Sequence, residues 1–146
     1  MSNILKFPAR SSEPTIFIVE DDDIDSMALQ RAFNRVSKNL NVIRARDGIE
    51  ALDLLNGTDT THPLFAPDAM VIDLNMPRMN GTQLLDQIRG NSRFNNTKIF
   101  ILSGSDSDAD IIHSYESDIA SYIVKSSHED SITKTANLVN YYLRCA

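Results

Sequence analysis

The chain has 146 residues, 42% of them hydrophobic and 23% charged, with a formal net charge of −6. That length suits one domain with a real core, and the acidic balance argues against nucleic acid as a partner. No apolar run approaches the roughly 20 residues of a membrane span, and a single cysteine, Cys145, excludes a disulfide framework.

Residues 1–13 hold no apolar stretch of signal-peptide length, so they read as a flexible extension of a cytoplasmic protein, with one domain over 14–146. Thr15-Ile16-Phe17-Ile18-Val19 predicts a first strand, and Glu20-Asp21-Asp22-Asp23 comes directly after it. Asp22, Asp23 and Asp25 suit the positive end of a helix, whereas Glu20 and Asp21 lie right at the strand end. In that helix Ala28, Ala32 and Val36 share a face, flanked by Leu29 and Phe33. Val42-Ile43-Arg44-Ala45 is a short second strand. Ile49, Leu52 and Leu55 mark a second helix that stops at Asn56-Gly57. A long connection over 58–67 contains His62-Pro63 and Ala66-Pro67, and such loops are often functional.

The next stretch is the most informative. Ala69-Met70-Val71-Ile72 reads as a strand buried on both faces, Asp73 ends it, and Pro77 and Gly81 close the turn behind it. Leu84, Leu85 and Ile88 give a third helix. Lys98-Ile99-Phe100-Ile101-Leu102 runs into Ser103-Gly104, and Ser121-Tyr122-Ile123-Val124 runs into Lys125-Ser126. Ile111, Ile112 and Tyr115 lie in a fourth helix; Leu138, Val139, Tyr142 and Leu143 lie in a fifth, whose start holds Ser131, Thr133 and Thr135 as a solvated face. This alternation predicts an α/β fold with right-handed crossovers, a doubly wound, five-stranded parallel sheet in the order 2-1-3-4-5.

Such sheets place their ligands at the carboxyl ends of the strands. Glu20, Asp21, Asp73, Ser103 and Lys125 all close apolar strands. Singly, Ser103 reads as the start of a turn and Lys125 as a surface lysine; their order and shared context carry the signal. Three carboxylates in one pocket would repel and raise each other's pKa unless a hard divalent cation joined them. Mg²⁺ suits oxygen ligands and uses one or two carboxylates plus phosphate oxygens. A carboxylate nucleophile, a metal and donors for the equatorial oxygens are what phosphoryl transfer needs. His62, His113 and His128 show no metal-ligand spacing, and no Gly-rich phosphate loop points to ATP.

At these residues the chain resembles the response regulator receiver domains of two-component signalling, over about residues 14 to 144. It looks like a single-domain, chemotaxis-type regulator with the flavodoxin-like fold. The long 58–67 connection is similar to that of the phytochrome-linked subgroup. The resemblance implies that Glu20 and Asp21 bind Mg²⁺, that Asp73 is the phosphoacceptor, and that Asn75 lends a backbone carbonyl to the metal. It further implies that Ser103 and Lys125 hold the phosphoryl group and that Tyr122, with Ser103, moves in the switch. The pattern departs at Ser126, where the family usually has a proline. It also implies partners: a sensor histidine kinase of phytochrome type, a downstream protein target reached by protein contact, and a homodimer. Phosphorelay signalling without an output domain is the expected function, with only slow self-phosphorylation and self-dephosphorylation. A phosphohydrolase with an aspartate nucleophile is the competing class. Those enzymes usually carry an acid-base aspartate two residues after the nucleophile, where this chain has Asn75. A phosphorylation-independent adaptor is a third class, opposed by the intact Asp73 and Lys125.

Overall fold

A computed structural model of the chain describes residues 13–58, 64–104, 118–125 and 128–145. The expected fourth helix with Ile111, Ile112 and Tyr115, and also His62, His113 and Ser126, fall outside the described residues. In chain order the elements are β1 (Thr15–Val19), α1 (Asp23–Val36), β2 (Asn41–Ala45), α2 (Gly48–Asn56), β3 (Ala69–Asp73), α3 (Gly81–Arg89), β4 (Lys98–Ser103), β5 (Ser121–Val124) and the C-terminal helix, here α4 (His128–Cys145).

The five strands form one sheet in the order β2-β1-β3-β4-β5, and every pairing is parallel. The doubly wound order expected from the alternation is therefore the one observed. A parallel sheet needs cover on both faces, and the strands supply an apolar layer to each because successive side chains alternate. Phe17, Val19, Met70, Ile72, Ile99 and Ile101 point to one side, where Ala51, Leu54 and Leu55 of α2 and Leu84, Leu85 and Ile88 of α3 cover them. Ile16, Ile18, Val71, Phe100 and Leu102 point to the other, against Leu29, Ala32 and Phe33 of α1 and Ile132, Ala136 and Val139 of α4. Fully burying one such side chain contributes roughly 1.5–3 kcal/mol, so this two-sided core outweighs any local preference of the strands.

The helix ends obey their sequence signals. Asp22 caps α1 by accepting from the Asp25 amide, Asp47 caps α2 by accepting from Glu50, and Asn80 and Gln83 form a reciprocal capping box on α3. Gly57 ends α2 with φ 78°, in the left-handed region that glycine enters without strain.

Two helix faces differ from expectation. On α2 burial centres on Ala51, Leu54 and Leu55, while Ile49 in the first turn stands exposed. On α4 Thr133 is exposed as expected, but Ser131 and Thr135 turn inward and are buried. The Thr135 hydroxyl donates to the Ser131 carbonyl at 2.7 Å, one turn back, which satisfies it without water. Near the end of α4, Tyr142 packs edge-on to Phe100 with centroids 5.3 Å apart, and the adjacent Tyr141 is exposed. Among the described residues no helix is long and apolar enough to cross a membrane.

Candidate functional site

Parallel pairing sends the carboxyl ends of all strands to one edge, and there the expected residues meet. The hydrogen-bonded ladder runs past the strand ends. The Glu20 amide donates to Ala45 O at 3.1 Å, the Leu74 amide to Leu102 O at 2.8 Å and the Lys125 amide to Ser103 O at 2.7 Å. The backbone at each site position is thereby held while the side chains face the edge.

Glu20, Asp21 and Asp73 each bring one carboxylate oxygen to within 4.8 Å of the other two, the one acidic cluster of this kind among the described residues. Glu20 and Asp73 are buried and Asp21 is exposed. Burial, and then the neighbouring Asp73 carboxylate, push Glu20 up to about 8, against the opposing pull of Lys125 and of the Asp22 amide. Burial raises Asp73 as well, although Lys125 and the Asn75 amide pull it down. Two buried carboxylates this close favour retention of a proton between them, with Glu20 the group pushed further toward the neutral form. A proton and a divalent cation are alternative remedies for the same repulsion. Three hard oxygen donors, one of them facing solvent, fit a hard divalent ion that retains water.

One lysine faces this cluster. Lys125 Nζ lies 3.4 Å from Glu20, 3.7 Å from Asp25 and 3.8 Å from Asp73. Burial alone would lower its pKa, but Asp73, Glu20 and Asp25 together raise it, so it stays an ammonium. Ser103 is fully buried at the end of β4, beside β5. Tyr122 is half-buried in β5 and packs with Ile119 against the core on the α2 and α3 side.

The loop after Asp73 is tightly built. The Asn75 amide donates to Asp73 Oδ1 at 3.2 Å and orients that carboxylate. The loop then folds back, with the Gly81 amide on Leu74 O at 2.9 Å. A Cβ on Gly81 would sit 2.8 Å from Leu74 Cα, so only glycine lets α3 begin this close to the acceptor. Arg78 adopts φ 65° and forks onto both oxygens of Asp47, the cap of α2. A left-handed non-glycine residue is strained by about 1 kcal/mol or more, and this bidentate pair holds it there.

The structure brings together Glu20, Asp21, Asp73, Ser103 and Lys125, as the strand ends implied. Two further residues belong to the same edge and were not singled out. Asp25, read only as a partner of the helix dipole, ion-pairs with Lys125. Arg44 of β2 sends its Nε and Nη2 to the Glu20 carbonyl, at 3.0 and 2.7 Å, and its Nη1 to Asp23 Oδ1 at 2.8 Å. The available signal for Arg44 was a charge inside an otherwise apolar strand.

Comparison with known proteins agrees with this geometry. A family model described as "Response regulator receiver domain" matches residues 16–137. The response regulator Rcp1 of Synechocystis is 28% identical over 119 residues, which are 82% of this chain and 81% of that protein. The phosphorylated cyanobacterial phytochrome response regulator RcpA superposes with a TM-score of 0.79 at 28% identity, covering 92% of this chain and 97% of that one. The Mn²⁺-bound form of response regulator Rcp1 superposes with a TM-score of 0.74 at 27% identity, covering 89% of this chain and 94% of that one.

Proposed function

The chain belongs to the response regulator receiver family, and from that membership we propose that Asp73 is the residue that takes the phosphoryl group. The family places the chain in two-component signalling as a phosphoacceptor, fed by a histidine kinase and assisted by a divalent metal. The observation that carries the assignment is the position of Asp73: a buried carboxylate at a central strand end, with one oxygen oriented by the Asn75 amide and Lys125 facing the other.

A carboxylate oxygen of Asp73 attacks the phosphorus of a phosphohistidine; the new P–O bond forms as the P–N bond breaks, and the imidazole leaves with the electron pair and takes up a proton. Lys125 lies where it can track the phosphoryl oxygens, and the Ser103 hydroxyl supplies a second donor. Glu20, Asp21, Asp73 and the Asn75 carbonyl would hold Mg²⁺, which neutralises charge on the transferring group. Lys125 then draws Ser103 and Tyr122 with it, and the altered face is read by a downstream protein or a second copy of the chain. Likeness to phytochrome-linked regulators and the long 58–67 connection favour a phytochrome-type kinase as donor. Self-phosphorylation from small donors and self-hydrolysis are slow. Residues 1–13 precede this cytoplasmic receiver unit.

Asp73→Asn tests the assignment. An amide is not a nucleophile, so the folded variant gains no phosphate when incubated with a small phosphodonor and Mg²⁺. Intact-mass measurement decides it, and a variant that gains phosphate as readily as the wild type overturns the assignment.

A further inference from the structure

Arg44 lies on β2, the outermost strand of the sheet, beside the acidic turn and without belonging to the reaction. Its neighbours Val42, Ile43 and Ala45 are apolar, and its side chain is only 18% exposed. The ladder between β1 and β2 ends with the Glu20 amide on Ala45 O. The carbonyl of that same residue has turned to the guanidinium, which grips it through two nitrogens. The third nitrogen reaches Asp23 Oδ1, and Arg46 Nη1 meets the same oxygen at 2.8 Å. The turn from Glu20 to Asp23 is therefore tied at both ends to one planar group, with Asp21 between the ties. Asp23 pairs with both arginines, so their charge is compensated at the end of the turn.

We propose that Arg44 is a positioning residue for the metal site, fixing the Glu20–Asp23 turn so that Glu20 and Asp21 present their carboxylates to the cation together with Asp73. The inference rests on the reading of those residues as the metal site. Three donors in a rigid fork suit this task and a lysine does not, because its single ammonium cannot hold one carbonyl by two bonds and a carboxylate by a third. Fixing an acidic turn that would otherwise splay under like-charge repulsion acts on metal affinity rather than on the chemical step.

The test measures phosphorylation by a small phosphodonor against Mg²⁺ concentration for wild type, Arg44→Met, Arg44→Lys and Arg46→Ala, with metal-free melts alongside. Arg44→Met raises the Mg²⁺ concentration for half-maximal rate by about tenfold, with the rate at saturating Mg²⁺ kept within about twofold of wild type. Arg44→Lys recovers that affinity only in part and covers the case in which the Met variant does not fold. Arg46→Ala, which removes a charge from Asp23 but leaves the fork on Glu20, keeps the wild-type half-saturation. Lower melting temperatures with unchanged half-saturation in both Arg44 variants make Arg44 a mere structural strut and overturn the proposal. A wild type whose phosphorylation ignores Mg²⁺ overturns the metal reading itself, a result visible before any variant is compared.

Discussion

The two edges of the sheet handle charge in opposite ways. At the amino edge Arg89 donates to the backbone carbonyls of Asp118, Phe94 and Thr97 at 2.8 to 2.9 Å. Arg93 does the same for Leu55 and Phe65, at 2.9 Å each, and lies over the Phe94 ring. The hydrogen-bond acceptors of both cations are neutral carbonyls, the Asp118 carboxylate adds a favourable charge beside Arg89, and the loops entering β4 and β5 are closed by these bonds. At the carboxyl edge three carboxylates crowd together and Lys125 is shared between two of them and Asp25. One edge is electrostatically complete; the other is left short of positive charge. The difference teaches where stability and the proposed chemistry reside, since truncation of a cation at the first edge costs stability and truncation of a carboxylate at the second relieves repulsion while removing chemistry.

The largest effect that could break this contrast lies at the amino edge. Arg89→Met removes three charge-assisted hydrogen bonds, of which only the one to Phe94 O is backed by a second donor, the Thr97 amide, and lowers stability by about 2–4 kcal/mol. Chemical denaturation measures it, and the fraction that remains folded still accepts phosphate on Asp73. A variant as stable as the wild type, or one that is stable yet inert to phosphodonor, denies that the edges are separate.

Lys125→Ala sharpens the contrast from the other side. Asp73 and the metal donors remain, so phosphate is still incorporated, more slowly. The change in the surface is lost. Beryllium trifluoride mimics the aspartyl phosphate, and amide chemical shifts at Gly104 and at residues 120–122 report the response. Full wild-type shifts in the variant exclude Lys125 as the coupling residue.

The smallest effect is a pH dependence. Glu20 is raised to about 8 in the metal-free fold. Between the ordinary carboxylate range and that value, the folded protein holds a proton that the unfolded chain has released. Stability without metal therefore falls as pH rises through this window, by about 1–2 kcal/mol because Asp73 shares the titration while the Lys125 ammonium opposes the shift. Thermal melts in chelator measure the slope; Glu20→Gln flattens it, and Mg²⁺ protects the wild type more at pH 8 than at pH 6. A wild-type slope of the opposite sign contradicts the proton assignment.

Much of this was legible in the residues. Strands buried on both faces leave apolar runs, and their parallel pairing forces Glu20, Asp73, Ser103 and Lys125 to one edge, so the polar residue closing each run marks the site. Other features left no such trace. Asp25 and Lys125 are far apart in the chain and no periodicity relates them. Arg44 reaches a backbone carbonyl, an acceptor that every residue carries and that no side-chain pattern marks. Thr135 looked solvated because its hydroxyl counts as polar, yet the carbonyl one turn back satisfies it in the core. Ile49 looked buried by type, but it stands in the first turn of α2, where it is exposed.

The short bond from the Lys125 amide to Ser103 O has a mechanical consequence. It makes the root of the lysine a hinge pin set in the sheet, while the flexible four-carbon stem is the only moving arm. Under the role proposed for Lys125, the signal begins as a swing of the ammonium about a fixed pivot, with its arc limited by the stem. Because the pin is fastened to the peptide that carries the Ser103 carbonyl, the two residues proposed to grip the phosphoryl group share one anchor. A load on either residue is therefore passed through that bond to the backbone of the other.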